Sequence, residues 1–420
     1  MEKTPVTNKV KVIGIKGCQV PGNLPDLLRG CRAVCSSKRL IQAASQEIGM
    51  ISPAPALIPI TPLSDMVQAL CEHLEKGDCA ILASGDPLFF GIGKRLLSMF
   101  DRERIEFHPS LSAVQIACAR FKIPWSDAQV ISLHGRRDEP VCARILSSGK
   151  TIIFTDAKNS PDTVAAELIK VLERAGATRF LSSIRVHVAE DLDCPGEKLS
   201  SLGLKETASR NFSPLNTMIV EIHGDLLPSR GTGLSENEIA HLRGLITKDE
   251  VRAITLHRLR LEPGNILWDV GAGSGSVSLE AARMYPDITS YAVESEIEQQ
   301  EIIRENIKRF KLFNVIPVEG RAPGILETLP RPHRVFIGGS GGRLKRIIEL
   351  CAESLAPGGV MVANAILEET CRDAPTIMEE AGLFVDVSRI TVTRVRGAKM
   401  PETRLNTITV IRGIKKGADS

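Results

Sequence analysis

The sequence has few aromatic residues and no long apolar run. Phe, Trp and Tyr together make up 4% of its 420 residues, and the formal net charge is only +3. Proteins that bind long nucleic acids usually have a basic surface and aromatic rings on which bases stack, so this class is not favoured. No apolar stretch reaches the roughly 20 residues that a membrane-spanning helix needs, and the N-terminal residues include no apolar signal segment. We therefore expect a cytoplasmic protein with no nucleic-acid or membrane partner.

Paired cysteines are also missing. The ten cysteines are scattered along the chain, with no C-x-x-C pair and no histidine at ligand spacing. This pattern predicts no metal site. In a reducing compartment we expect the cysteines to serve as small apolar residues.

The length of the chain indicates more than one domain. At 420 residues it is too long for a single core and suits two domains of about 200 residues each. The segment 224–233 has the glycine, proline and serine content of a short connection. It divides the chain into predicted domains 1–225 and 234–420, joined by a linker at 226–233. Apolar strand-like runs alternate with helix-like runs, which predicts an α/β fold.

The most informative stretch is I-L-W-D-V-G-A-G-S-G-S-V-S-L-E, residues 266–280. An apolar run ends in Asp269, and three alternating glycines precede an apolar segment with helical spacing. These are Gly271, Gly273 and Gly275. The pattern predicts a strand, a tight turn and a helix whose free N–H groups face the turn, as in nucleotide-type cofactor loops. An ordinary βα turn is the alternative.

Two neighbouring features favour an S-adenosylmethionine loop. A dinucleotide fingerprint would have its third glycine where this chain has Ser276, so a pyrophosphate loop fits less well. The next strand-like run ends in Glu294, whose carboxylate can accept hydrogen bonds from both ribose hydroxyls.

Further strands are expected along the second half. They are Ile266–Val270, Thr289–Val293, Val315–Val318, Arg334–Ile337 and Val360–Ala363, followed by β-rich stretches at Phe384–Val395 and Asn406–Arg412. This alternation predicts a doubly wound sheet that binds its ligand at the carboxyl ends of its strands. The glycine-rich loop 338–342 should lie at that edge, beside the cofactor loop. Thr247, with Glu250 three residues later, predicts a capping box at the start of the first helix.

The first half contains a second glycine-rich loop. Val10–Ile15 reads as a buried parallel strand, and Cys79–Leu82 as a short strand that leads into S-G-D-P-L-F-F-G-I-G, residues 84–93. Backbone groups of such a loop can line a cofactor, with Pro87 fixing the turn. From its chemistry alone, a cofactor loop and a plain turn are equally compatible.

Several stretches of the first half together resemble the tetrapyrrole methylases, which methylate the corrin macrocycle during cobalamin synthesis. They are S-G-D-P-L-F-F-G-I-G, H-P-S-L-S-A-V-Q, F-T-D-A-K-N-S-P and S-P-L-N-T-M-I-V-E, within residues 9–223. The resemblance is greatest to members that act at carbon 5, and it implies the class III methyltransferase fold. It also implies S-adenosylmethionine contacts at Ser84, Gly85, Asp86, Phe89, Ser112, Ala113 and Thr155.

Two details of the first half stand apart from that resemblance. The family usually has G-x-G-P-G in its first loop, whereas residues 14–18 of this chain read G-I-K-G-C. His108 and His134 could donate protons, although structural roles are the commoner use of such histidines.

Residues 234–412 resemble a class I methyltransferase family of cobalamin synthesis, which methylates carbon 15 and removes the carboxyl group of the ring-C acetate. The matching stretches are I-T-K-D-E-V-R-A, L-W-D-V-G-A-G-S-G-S-V-S-L-E-A and I-G-G-S-G-G-R-L. The resemblance implies a Rossmann-like fold with cofactor contacts at Thr247, Gly271, Ala272, Gly273, Ser274, Gly275, Glu294 and Ala322. The substrate is expected against Gly339, Ser340 and Gly341, although a plain glycine-rich connection would also explain that loop. Candidate cations for its carboxylates are Arg343, Lys345, Arg346, Lys399 and Arg404.

The two resemblances, taken together in this order, imply one bifunctional enzyme. It would use S-adenosylmethionine to methylate a tetrapyrrole of the precorrin-6B or cobalt-precorrin-6B type at carbons 5 and 15, with decarboxylation of the ring-C acetate. Family members associate, so a homo-oligomer is expected. The rival interpretation is an RNA or nucleotide methyltransferase whose N-terminal half is a non-catalytic module that binds S-adenosylmethionine or a docking partner.

Overall fold

A computed structural model describes residues 8–133, 141–228, 231–395 and 401–417. The described residues within 1–135, 150–163 and 185–221 form one compact unit, and those within 136–149, 164–184 and 222–420 form a second. The domain boundaries at residues 225 and 234 stay a prediction. Among the described helices, none is both long enough and apolar enough to span a membrane.

Strands and helices alternate along the described residues, which confirms the predicted α/β class. The strands are β1 Val10–Ile15, β2 Ala33–Ser36, β3 Ala56–Pro59, β4 Cys79–Ser84, β5 Ile105–His108, β6 Gln129–Ser132, β7 Lys150–Phe154, β8 Ile184–Glu190, β9 Lys198–Gly203, β10 Asn216–Ile222, β11 Ile266–Val270, β12 Thr289–Glu294, β13 Val315–Glu319, β14 Arg334–Ile337, β15 Val360–Ala365, β16 Leu383–Ile390, β17 Thr393–Arg394, β18 Thr403–Arg404 and β19 Ile408–Lys415. The α-helices are α1 Leu24–Leu28, α2 Lys38–Ala43, α3 Ser45–Gly49, α4 Leu63–Leu74, α5 Gly93–Met99, α6 Ala113–Phe121, α7 Val141–Leu146, α8 Pro161–Arg174, α9 Leu204–Ala208, α10 Asp249–Leu259, α11 Ser276–Met284, α12 Ile297–Phe310, α13 Leu344–Ser354 and α14 Glu368–Glu380.

Two five-stranded sheets form the first unit. In one, the strands run parallel in the order β3-β2-β4-β1-β5. Its strands β1, β2 and β4 are almost wholly buried, as expected for parallel strands covered on both faces. The other sheet has the order β6-β7-β10-β8-β9 and is mixed, because β6 and β7 are parallel while β7 and β10 are antiparallel.

The second unit contains a seven-stranded sheet with the order β13-β12-β11-β14-β15-β19-β16. The first five strands in that order are parallel, and β19 inserts antiparallel between β15 and β16. Chain order reverses between β11 and β14, so this edge is the switch point at which a doubly wound sheet binds ligands. The predicted strands agree with β11 to β15 to within two residues at each end. The stretch predicted as Phe384–Val395 is divided into β16 and the short β17.

Two expectations about individual residues are wrong. Cys18 and Cys194 form a disulfide between loops 176 residues apart, so they are not free apolar side chains. The other eight cysteines are free, and five of them are buried. Thr247 does not cap a helix, since α10 begins at Asp249 after Lys248 and shows no side-chain cap. Its proposed capping partner Glu250 instead accepts hydrogen bonds from Arg394.

Candidate active sites

The first unit contains a cavity of about 410 Å³ at the carboxyl edge of its parallel sheet. Residues that follow each of the five strands reach its wall: Gly17, Ser37, Ile60, Gly85 and Ser112. The register of β1 and β4 pairs Ile15 with Ser84, which brings the loops after these two strands together. Gly85 N donates to Ile15 O over 2.8 Å, and this bond fixes the start of the second loop.

All seven cofactor contacts predicted for the first half line this one cavity. They are Ser84, Gly85, Asp86, Phe89, Ser112, Ala113 and Thr155. Asp86 Oδ1 accepts a hydrogen bond from Leu88 N at 2.9 Å, which shapes the turn. Ser112 caps α6 in a capping box with Gln115, so the helix begins at the cavity wall. Thr155 arrives from the end of β7 and donates to Asn216 Oδ1 at 2.6 Å.

The cavity also contains residues that the sequence did not single out. Phe90 and Phe154 lie with Phe89 in a cluster whose ring centroids are 5.0 to 6.1 Å apart. Phe90 is 52% exposed and has a left-handed backbone, with φ of 54°. A large side chain in that conformation is costly and is often found at functional sites. These rings, tilted against one another by 50° to 78°, give one side of the cavity an apolar surface.

Arg39 is the second feature that the sequence analysis missed. It belongs to α2, which begins directly after β2, and its side chain lines the cavity. The strand-end rule would have pointed to it had the short run Ala33–Ser36 been recognised as a strand. His108 is not a lining residue, and its Nε2 lies 2.9 Å from Glu106 Oε1. His134 lies outside the described residues.

The second unit contains its own cavity, of about 440 Å³, at the switch point of its sheet. Of the predicted cofactor contacts, Thr247, Gly271, Ala272, Gly273 and Ser274 line it. The other wall residues are mostly apolar, and among the described lining residues there is no carboxylate. Lys248 is the charged residue of that lining, and its Nζ lies 3.1 Å from Glu236 Oε2.

Glu294 anchors the cofactor loop from the neighbouring strand. Its Oε2 accepts a hydrogen bond from Gly273 N at 2.9 Å, and its Oε1 accepts from Ser295 N and Glu296 N at 2.7 and 3.1 Å. The backbone N–H groups of Gly271 and Ala272 both donate to Val293 O at 3.0 Å. The loop is therefore held in shape by β12, and Glu294 itself is not among the lining residues.

Gly271 and Gly339 bring the two glycine-rich loops into contact. A Cβ added to Gly271 would lie 2.6 Å from Gly339 O and 2.7 Å from Gly339 N. Gly338 N donates to Val270 O at 2.9 Å, so the second loop is tied to the end of β11. The two glycine-rich loops, around Gly271 and Gly339, are therefore adjacent as predicted, and Gly338 lines the cavity.

Several predicted positions lie outside the cavity lining. They are Gly275, Glu294, Ala322, Gly339, Ser340 and Gly341, and their roles in binding stay predictions. Gly275 is the N-cap residue of α11, and Ala322 packs against the core cluster that contains Val335 and Ile337. The candidate cations Arg343, Lys345, Arg346 and Arg404 are exposed and do not line the cavity, while Lys399 lies outside the described residues.

A hairpin forms the outer wall of the second cavity. Val392 and Leu405 line it and are joined by a hydrogen bond from Leu405 N to Val392 O at 2.9 Å, beside the paired strands β17 and β18. Arg394 ties this hairpin to α10 and to the segment before it, because it donates to both carboxylate oxygens of Glu250 at 2.9 and 2.7 Å and to Glu236 at 2.5 Å. These hydrogen bonds lower the pKa of Glu250 and raise that of Arg394.

The second cavity has features that fit a polar nucleoside ligand. The hydroxyl of Ser274 is buried and has no hydrogen-bond partner among the described residues. A Cβ added to Gly273 would find no atom within 4 Å, so the loop backbone there is open to the cavity. Buried polar atoms normally find partners, which indicates that a ligand supplies one here.

Comparisons with known proteins agree with both halves. The family model described as "Tetrapyrrole (Corrin/Porphyrin) Methylases" matches residues 27–201, and the one described as "Precorrin methyltransferase domain" matches residues 240–402. A precorrin-6Y C(5,15)-methyltransferase (decarboxylating) from a Sinorhizobium species is 32% identical over 321 residues, which are 75% of this chain and 74% of that protein. The chain belongs to the precorrin-6Y C(5,15)-methyltransferase (decarboxylating) family.

Shorter relatives match part of the chain. A probable cobalt-precorrin-6B C(15)-methyltransferase (decarboxylating) from Pyrobaculum aerophilum is 34% identical over 172 residues, which are 40% of this chain and 88% of that protein. A crystal structure of a precorrin-6Y C5,15-methyltransferase from Geobacter metallireducens is 40% identical and covers 44% of this chain and 97% of that one, with a TM-score of 0.43. The predicted family is confirmed, and the rival RNA or nucleotide methyltransferase is not favoured.

Proposed function

We propose that this chain transfers two methyl groups from S-adenosylmethionine to a precorrin-6B or cobalt-precorrin-6B type tetrapyrrole, at carbons 5 and 15, and removes the carboxyl group of the ring-C acetate. The observation that carries this proposal is the presence of two separate cavities, one in each unit. Each lies at the carboxyl ends of parallel strands and is lined by its own set of predicted cofactor contacts. Two such cavities suit two methylations.

The first cavity is assigned the methylation at carbon 5. S-adenosylmethionine supplies an electrophilic methyl group on a sulfonium centre in either cavity. Such a transfer depends on in-line positioning and on exclusion of water more than on a strong base. Ser84, Asp86 and Thr155 can orient polar groups, while the Phe89, Phe90 and Phe154 rings give a flat macrocycle an apolar surface.

The second cavity is assigned the methylation at carbon 15 and the decarboxylation. Its lining is mostly apolar, so a substrate carboxylate placed there loses hydration and is destabilised relative to neutral carbon dioxide. When the bond to the carboxyl carbon breaks, the electron pair stays on the acetate carbon, where the macrocycle stabilises it until a proton is taken up. Leu245, Ile366 and Leu405 contribute to this apolar wall.

The division of labour can be tested with one substitution in each cavity. Asp86→Ala should yield a tetrapyrrole with one added methyl group and no acetate carboxyl, because only the first cavity is damaged. Gly273→Val should yield a product with one added methyl group that keeps this carboxyl. Mass spectrometry of the products after incubation with a labelled methyl donor distinguishes them.

A matched control is Asp101→Ala, since Asp101 is exposed and does not line the first cavity. It should give the doubly methylated, decarboxylated product. Loss of both methylations in Asp86→Ala, or a product of that variant that keeps the acetate carboxyl, would contradict the assignment of the cavities.

Association and location belong to the same proposal. We expect a cytoplasmic homo-oligomer that does not bind nucleic acid, on the grounds of family analogy, a formal charge of +3 and few aromatic residues. Light scattering measures association, cell fractionation measures location, and filter binding with tRNA measures nucleic-acid binding. A monomer, a membrane-bound fraction or salt-sensitive tRNA retention would each remove the corresponding part.

A further inference from the structure

The first cavity contains a guanidinium that no described carboxylate neutralises through an ion pair. Arg39 lines the cavity and is only partly exposed. Its Nη1 donates to Gly17 O at 2.8 Å and to Cys18 Sγ at 3.8 Å, and its Nη2 donates to Ser84 Oγ at 2.8 Å. All three partners are neutral, since the sulfur of Cys18 belongs to a disulfide, so no carboxylate pairs with the positive charge. Burial lowers the pKa of this guanidinium more than the distant Asp191 raises it.

Such an arrangement is unusual for a structural arginine. Removing a charged group from water is costly unless an opposite charge compensates it. These three hydrogen bonds hold the planar group in a fixed orientation. The remaining N–H groups, on Nε and Nη2, can form the paired contacts that a carboxylate accepts. A guanidinium that is fixed but lacks a counter-ion is therefore prepared for an anionic ligand.

Its neighbours connect it with the predicted cofactor loop. Ser84, which accepts from Arg39, is the first residue of that loop, and Asp86 lines the same cavity. A cation and an acid in one cavity complement the carboxylate and ammonium of an amino acid. The carboxylate side chains of a tetrapyrrole offer the same chemistry to the cation.

We propose that Arg39 is the carboxylate-binding residue of the first cavity. This inference rests on the proposed function, which supplies two sources of carboxylate: the amino-acid end of S-adenosylmethionine and the side chains of the tetrapyrrole. Loss of a charge-assisted hydrogen bond weakens binding about 10- to 100-fold. The ligand whose carboxylate contacts Arg39 should show that loss, and the other ligand should not.

The test uses the full chain and compares wild type with Arg39→Met, Arg39→Lys and the control Lys38→Met. Lys38 is the exposed neighbour in α2 and does not line the cavity. Calorimetric titration with S-adenosylmethionine and with its decarboxylated analogue measures the cofactor arm. The KM for tetrapyrrole in carbon-5 methylation measures the substrate arm, and circular dichroism checks folding.

A cofactor carboxylate is indicated if Arg39→Met weakens binding of S-adenosylmethionine at one of its two sites about 10- to 100-fold, while binding of the decarboxylated analogue is as strong in the variant as in wild type. A tetrapyrrole carboxylate is indicated if cofactor affinity is unchanged and the KM for tetrapyrrole rises by that factor. If Arg39→Met does not fold, Arg39→Lys replaces it, because lysine keeps the charge but not the paired geometry.

The role of Arg39 would be overturned if Arg39→Met had a cofactor affinity and a KM for tetrapyrrole that both lie within about twofold of those of wild type and Lys38→Met. That result leaves the proposed function standing, since wild type would still bind two cofactors and form product. Failure of wild type itself to bind S-adenosylmethionine would instead overturn the proposed function and this inference with it.

Discussion

Gly271 and Gly273 have similar backbones but different surroundings, and this difference predicts different effects of alanine. Both have positive φ, 69° and 55°, so a side chain at either position costs about 1–2 kcal/mol. At Gly271 the new Cβ would also lie 2.6 to 2.8 Å from three backbone atoms of Gly339, whereas at Gly273 it meets nothing within 4 Å. The loops must separate to accept it, which adds about 1–3 kcal/mol. Gly271→Ala should therefore lower the free energy of unfolding by about 2–5 kcal/mol, and Gly273→Ala should lower it by about 1–2 kcal/mol.

Trp268 offers a direct assay of this difference. It is 1% exposed, lies in β11 next to the loop and donates from its indole N–H to Pro330 O at 3.0 Å. The chain has two tryptophans, so replacing Trp125 with phenylalanine leaves Trp268 as the fluorescent reporter. Guanidinium unfolding then gives the free energy of unfolding of the surrounding core for both alanine variants.

The two variants should also separate in binding. The Cβ of alanine at position 273 would project into the open cavity, so Gly273→Ala should weaken binding of S-adenosylmethionine in the second cavity and lose only the ~1–2 kcal/mol of stability that the backbone conformation costs. Gly271→Ala should instead show the larger loss in the free energy of unfolding. Equal unfolding free energies for the two variants would refute the argument from the contact with Gly339.

Four further changes test other parts of the structure. Burial raises the pKa of Asp269 from 3.8 to about 6, so its folded state holds a proton more tightly than its unfolded state. The contribution of Asp269 to the free energy of unfolding should therefore fall by about 3 kcal/mol as pH rises from about 4 to about 6. Asp269→Asn should remove that fall in unfolding curves followed by Trp268 fluorescence. Arg394→Met should lower unfolding stability by about 1–3 kcal/mol in the same assay, because it leaves Glu236 and Glu250 without their shared partner, whereas exposed Arg389→Met should change it little. Alkylation in denaturant without reductant should modify eight of the ten cysteines, and Cys18→Ser should lower stability by about 3–5 kcal/mol in chemical unfolding followed by circular dichroism. Residues 1–225 and 234–420 expressed apart should each show folded circular dichroism spectra, and two unfolded pieces would contradict the predicted boundary.

The parallel strands and their loops could be predicted because their signals are local. β11 and β14 are short apolar runs followed by glycines, and their predicted bounds agree with the structure. Since parallel strands place their carboxyl ends at one edge, the approach of the two glycine-rich loops followed from chain order alone. The seven predicted contacts of the first cavity came from resemblance of short motifs, and the structure places them together.

Features that depend on distant residues could not be predicted in this way. Glu250 was assigned to a local capping box, but Arg394, 144 residues later, engages its carboxylate. The partner of Cys18 lies 176 residues away, and nothing near either cysteine in the sequence indicates the pairing. Arg39 was missed because its role depends on Gly17 and Ser84, which join it only through the fold.

The position of β19 has a consequence for the order in which the protein forms during synthesis. This strand is the last of its sheet along the chain, yet it lies between β15 and β16 and buries Val410 and Ile411. Leu405, Asn406 and Ile408, at and before its start, also complete the wall of the second cavity. Until the ribosome has released this segment, β15 and β16 lack their shared partner, and the second cavity lacks these three wall residues. Among the residues that the structure describes, those lining the first cavity end at Thr217, so the growing chain can assemble that cavity much earlier.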